Sequence, residues 1–178
     1  MTPNSPPSKI PIRRFCVYAL IGLVFGIIDW YYLNWFPSVI GENIRTSIFL
    51  IPVIIFLNYG IWLVPIIPIV IYEIKQSANF RWSILTGIMV WVFAIFGYYL
   101  FYTILLSTGS LPHFEHLSLL GPKYETFWID YWRMFKFIIL QQILEWLPVA
   151  IIGGGIISAL LFWIISQKAK IQKSCFHE

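Results

Sequence analysis

FCVYALIGLVFGIIDWYYLNWF, residues Phe15–Phe36, decides the fold. From Phe15 to Ile28 it is an unbroken apolar run, and then Asp29 opens an aromatic group of Trp30, Tyr31 and Tyr32. The apolar part alone is shorter than the ~20 residues a helix needs to cross hydrocarbon. A helix that starts behind Arg13 and Arg14 must therefore take Asp29 with it to complete a crossing. At 1.5 Å per residue, Asp29 falls about 7 Å below the outer edge. Gly22, Gly26 and Asp29 stand at i, i+4 and i+7, on one side of that helix. The Gly22/Gly26 pair is a GxxxG pattern, which lets a second helix approach closely. Asp29 is then turned toward protein. A bare carboxylate at the bilayer centre costs about 2.5–3.5 kcal/mol on insertion scales. The alternative is an interfacial Asp29 that reaches water past the aromatic belt.

The rest of the chain has the same character. Its 178 residues are 59% hydrophobic and 11% charged, where soluble domains carry about 25% charged residues. Mean hydropathy is +0.78. The apolar residues form continuous blocks, which argues against a membrane β-barrel with its two-residue alternation. The expected fold is all-α, a multi-pass integral membrane helical bundle with four transmembrane helices. The spans are about 15–36, 48–72, 82–106 and 137–166. Residues 1–14 read as a disordered arm, 15–166 as the transmembrane domain and 167–178 as a basic tail. The last span is open to two readings. It is either one long helix kinked at Pro148, or a shorter span from Leu147 that follows an aromatic-rich segment, 124–146, lying on the outer interface.

Orientation follows from charge. Lys9, Arg13, Arg14, Lys75, Arg81, Lys168, Lys170 and Lys173 fall on one side of the four-span plan. Arg45, Lys123, Arg133 and Lys136 fall on the other. Cytoplasmic segments are richer in Lys and Arg, so both termini are expected in the cytoplasm, at a plasma or inner membrane. The lipid bilayer is the first partner. The net charge of +4 sits at the chain ends and suits an anionic lipid face; nucleic acid is not expected. Cys16 and Cys175 are too few and too far apart for a disulfide framework.

The polar residues inside the spans are the candidate site. Asn58 lies ~15 Å into the second span, and Glu145 lies ~12 Å in if the fourth begins near Phe137. Gln141 and Gln142 are one turn before Glu145. Together with Asp29 these five could form a polar cluster in the outer half of the bundle, suited to proton or cation coupling. Gly153, Gly154 and Gly155 join Gly22 and Gly26 as residues that allow close helix packing. Pro52, Pro65 and Pro68 are expected to bend the second span.

The outer-loop sequence LPHFEH (Leu111–His116) offers metal-ligand residue types but no third pair, and reads as a solvated loop. Neither a metal nor a cofactor is expected. GxSxG and phosphate-cradling glycine loops are absent from the sequence, so enzymatic activity is not expected. Two functions remain. One is a self-associating protein or an accessory subunit of a larger membrane complex. The other is a small ion or solute carrier that uses the intramembrane carboxylates.

Overall fold

A computed structural model describes residues 12–45, 51–108, 131–133 and 135–174. All regular structure among them is helical: α1 (Ile12–Arg45), α2 (Ile51–Gly60), α3 (Leu63–Ser77), α4 (Phe80–Thr108), a π-helical turn (Phe135–Leu140) and α5 (Gln141–Ser174). Three stretches are long and apolar enough to cross a membrane, Ile12–Leu33, Phe80–Thr108 and Gln141–Lys168. They mark the chain as a helical membrane protein. α1 runs helical through Pro37 to Arg45, past the expected end at 36. α5 is continuous through Pro148 and joins the π-helical turn directly. Most of the arm, the LPHFEH sequence, residues 124–130 and 134 of the 124–146 segment and the end of the tail lie outside the described residues.

The 48–72 stretch, expected as one crossing, is divided at Ile61–Trp62 into α2 and α3. The cause is local. Pro65 has no N–H to give to the Ile61 carbonyl. The Val64 N–H takes that carbonyl instead, at 3.0 Å and one residue early, so a tight turn replaces the α-helical ladder. Pro65 itself then sits in the first turn of α3, where no donor is required. The Tyr32 hydroxyl of α1 donates to the Leu57 carbonyl of α2 at 3.2 Å, one turn before the break.

α3 and α4 form a hairpin joined by two residues. Ala78 adopts the left-handed conformation (φ 48°, ψ 25°) and returns its N–H to the Ile74 carbonyl. Asn79 then caps α4, its side-chain oxygen accepting from the N–H groups of Arg81 (3.0 Å) and Trp82 (3.4 Å).

α4 is the axis of the bundle, and small residues set its two tightest contacts. A Cβ on Gly26 would run into the Ala94 carbonyl, one on Gly22 would lie 2.6 Å from the Val90 carbonyl, and one on Gly97 would strike the Leu23 carbonyl. α1 and α4 are therefore parallel and nearly in backbone contact. One turn earlier on α4, Gly87 meets Gly154 and Ser158 of antiparallel α5. Ile66, Val70 and Ile74 of α3 pack with Tyr18, Met89 and Val90 toward the hairpin end of the bundle. Trp30, Trp62, Ile95 and Tyr99 fill the other end. Outward positions such as Leu20, Val24, Ile152, Ile156 and Trp163 are exposed and apolar, as a lipid-facing surface requires. Arg13, Arg14, Lys75, Arg81 and Lys168 fall at the hairpin end, where Phe80 meets Phe162 at 5.3 Å between ring centres.

Candidate functional site

The polar centre of the bundle is built on the α1–α4 seam. Because Gly26 brings the two backbones together, the next residue on that side of α1, Asp29, is enclosed. It is 0% exposed, and neither carboxylate oxygen has a hydrogen-bond partner among the described residues. Its charge reaches the hydroxyls of Tyr98 and Tyr99 on α4 and of Tyr32 on α1. Trp30 closes the seam beside it with its ring edge-on to Phe101, 5.5 Å between centres.

One turn beyond Asp29, Leu33 lines a cavity of about 250 Å³ where α1, α4, α5 and the α2–α3 break meet. Ile95, Tyr98 and Tyr99 contribute one wall, Gln142 and Trp146 another, and Trp62 a third. Tyr99 donates to the Gln142 side-chain oxygen at 3.0 Å. Trp62 stands at the break itself. Trp91 stacks on it at 6.1 Å, and Phe25 meets it edge-on at 6.4 Å. The helix break thus presents an indole to the cavity.

The residues singled out from sequence are placed as follows. Asp29 is in the seam and Gln142 is at the cavity. Gln141 and Glu145 do not line the cavity; they are exposed on α5, as Gln142 also is, with Gln141 donating to Glu145 at 2.8 Å, and the Glu145 charge still reaches the Tyr99 hydroxyl. The reason is helical geometry. Gln142 and Trp146 share the cavity side, and a step of one residue back to Gln141 and Glu145 turns each side chain about 100° away. Asn58 lies in α2, and its side chain is outside the described residues. Of the three glycines, Gly154 faces the Gly87 carbonyl and Gly153 faces the Trp91 ring, while a Cβ on Gly155 would meet nothing nearer than 3.8 Å.

A second buried carboxylate, Glu73, was not singled out in the sequence. It is 7% exposed near the C-terminal end of α3. Tyr18 donates to it at 2.8 Å, and the Arg14 guanidinium lies 3.8 Å away. The sequence boundary at 72 assigned Glu73 to a loop because charges begin there, but α3 continues to Ser77 and folds it inward. Its position two helical crossings from Arg14, and so on the same membrane side, was the available signal.

The two carboxylates differ in one respect that decides their chemistry. Glu73 has a donor and a cation, so it joins α1 to α3. Asp29 has neither among the described residues. A buried ion without a partner is expensive, so Asp29 needs a proton or a cation from outside the described residues to balance it. Those described residues contain no group of three His, Cys, Asp or Glu able to hold a metal ion.

No known protein family, characterised protein or solved structure matches the chain.

Proposed function

We propose that this chain is a small membrane carrier in which Asp29 balances the charge of a cation or proton moving through the outer half of the bundle. The observation that carries this reading is the enclosed Asp29 carboxylate, without a hydrogen-bond partner among the described residues, one helical turn from the cavity that Leu33 lines. Two further features support it. Broken helices at membrane depth are a recurrent way to build carrier sites, because the break frees backbone groups and allows part of the bundle to move. The π-helical turn ahead of α5 is a local irregularity of a kind often found at functional sites.

In this reading α2 and α3 together make a fourth crossing. The basic hairpin end, with Arg13, Arg14, Lys75, Arg81 and Lys168, faces the cytoplasm together with both termini. The test is cation and proton flux into vesicles reconstituted with the purified chain. Wild type is expected to carry current or dissipate an imposed gradient, and Asp29→Asn to remove that activity while remaining folded. Equal flux in the two would end the carrier reading.

A second reading is favoured by the Gln141–Glu145 pair. These side chains face outward from a helix that is otherwise apolar on that side. Polar side chains on an outward helix face serve as contacts between membrane helices, and a bundle this small has little internal volume. Self-association, or docking into a larger membrane complex, through this edge of α5 would cover them. Native mass spectrometry in mild detergent tests it: a strict monomer without a partner contradicts association.

A further inference from the structure

We propose that the cavity beside Asp29 is a site for a small organic ammonium ion, which would make that ion the cation of the carrier reading on which this inference rests. Four of the lining side chains, Trp62, Tyr98, Tyr99 and Trp146, are aromatic. A cation held near the face of Trp or Tyr is attracted by the negative centre of the ring, and aromatic groups of this kind are the usual receptors for alkylated ammonium. A metal ion suits the cavity poorly. Hard cations ask for about six to eight oxygens, and the lining offers two tyrosine hydroxyls and the Gln142 amide, with the Tyr99 hydroxyl already donating to Gln142.

Size agrees. At about 30 Å³ per water, 250 Å³ holds on the order of eight waters, enough for a nitrogen bearing four methyl groups. Charge agrees as well. Asp29 lacks a hydrogen-bond partner among the described residues, its field reaches Tyr98 and Tyr99, and Glu145 adds negative charge at Tyr99. The guanidinium of Arg14 is engaged by Glu73 toward the hairpin end. An ammonium ion in the cavity would fill it and supply the missing positive charge. Leu33 and Ile95 complete an apolar wall suited to the methyl groups.

The experiment is isothermal titration of the full chain in detergent micelles with tetramethylammonium chloride. tert-Butanol serves as an uncharged probe of similar bulk. Saturable binding of tetramethylammonium is expected, with tert-butanol weaker by about tenfold or more. Trp146→Leu and Asp29→Asn should each weaken tetramethylammonium by about tenfold, and Trp146→Phe by less because it keeps a ring. Circular dichroism and size exclusion establish that each variant is folded, and Trp62→Leu stands in if the Trp146 variants are not. Absent binding to the folded wild type overturns the proposal. So do equal binding of tert-butanol and affinities unchanged in folded Asp29→Asn and ring-deleted variants.

The failures are separable. Asp29-dependent flux of another cation, with no tetramethylammonium binding, removes the ammonium site and leaves the carrier. Tetramethylammonium binding that depends on Asp29 and the aromatic rings, with no flux of any cation, keeps the site and removes the carrier.

Discussion

Replacing the two buried carboxylates should move stability in opposite directions. Glu73→Ala strips the Tyr18 hydroxyl of its acceptor, and Tyr18 is itself buried. An orphaned buried donor costs about 1–3 kcal/mol. The Arg14 contact adds little, because it is long at 3.8 Å and Arg14 is 39% exposed. The expected loss is therefore about 2 kcal/mol. Asp29→Asn breaks no bond, since neither oxygen has one among the described residues. It keeps the shape and removes the ionisable group, so the change runs from zero to a gain of about 1–3 kcal/mol. The assay is reversible unfolding of the purified chain in mixed micelles with rising sodium dodecyl sulfate, followed by circular dichroism. If Asp29→Asn loses more than about 1 kcal/mol, in the manner of Glu73→Ala, then Asp29 is a structural carboxylate with partners, and the reasoning from its isolation fails.

Gly26→Ala places a methyl against the Ala94 carbonyl and is expected to cost about 1–3 kcal/mol, while Gly155→Ala changes stability by less than about 0.5 kcal/mol; the same unfolding assay compares them. Asn79→Ala removes the cap of α4 and should cost about 1 kcal/mol, whereas Ala78→Gly relieves the left-handed residue and should not destabilise. Tyr32→Phe frees the Leu57 carbonyl and should cost about 0.5–1.5 kcal/mol, with hydrogen exchange rising first around 57–62.

The legible parts of the chain were those governed by helical period. Gly22, Gly26 and Asp29 share one side of α1 by spacing alone, and in the structure that side meets α4. What was not legible depended on features without a period. Pro52, Pro65 and Pro68 suggested a bend, but the outcome at Ile61–Trp62 depends on which carbonyl loses its donor, and Pro65 fixes that only once the helix phase is known. Glu73 was hidden because a run of charges looks like a helix end, although an antiparallel neighbour can fold one of them inward. Gln142 and Glu145 were grouped because both are polar and near in sequence. Which of them lines the cavity depends on the rotation of α5 about its axis, which its contact with Gly87 sets.

Carbodiimide labelling of the chain in its own membrane, read by mass spectrometry, tests the isolation of Asp29 most directly. Dicyclohexylcarbodiimide, which enters hydrocarbon, is expected to modify Asp29, and a charged carbodiimide confined to water is expected to leave it intact. Modification of Asp29 by both reagents to the same extent would place the carboxylate in bulk water and contradict a concealed charge-balancing site.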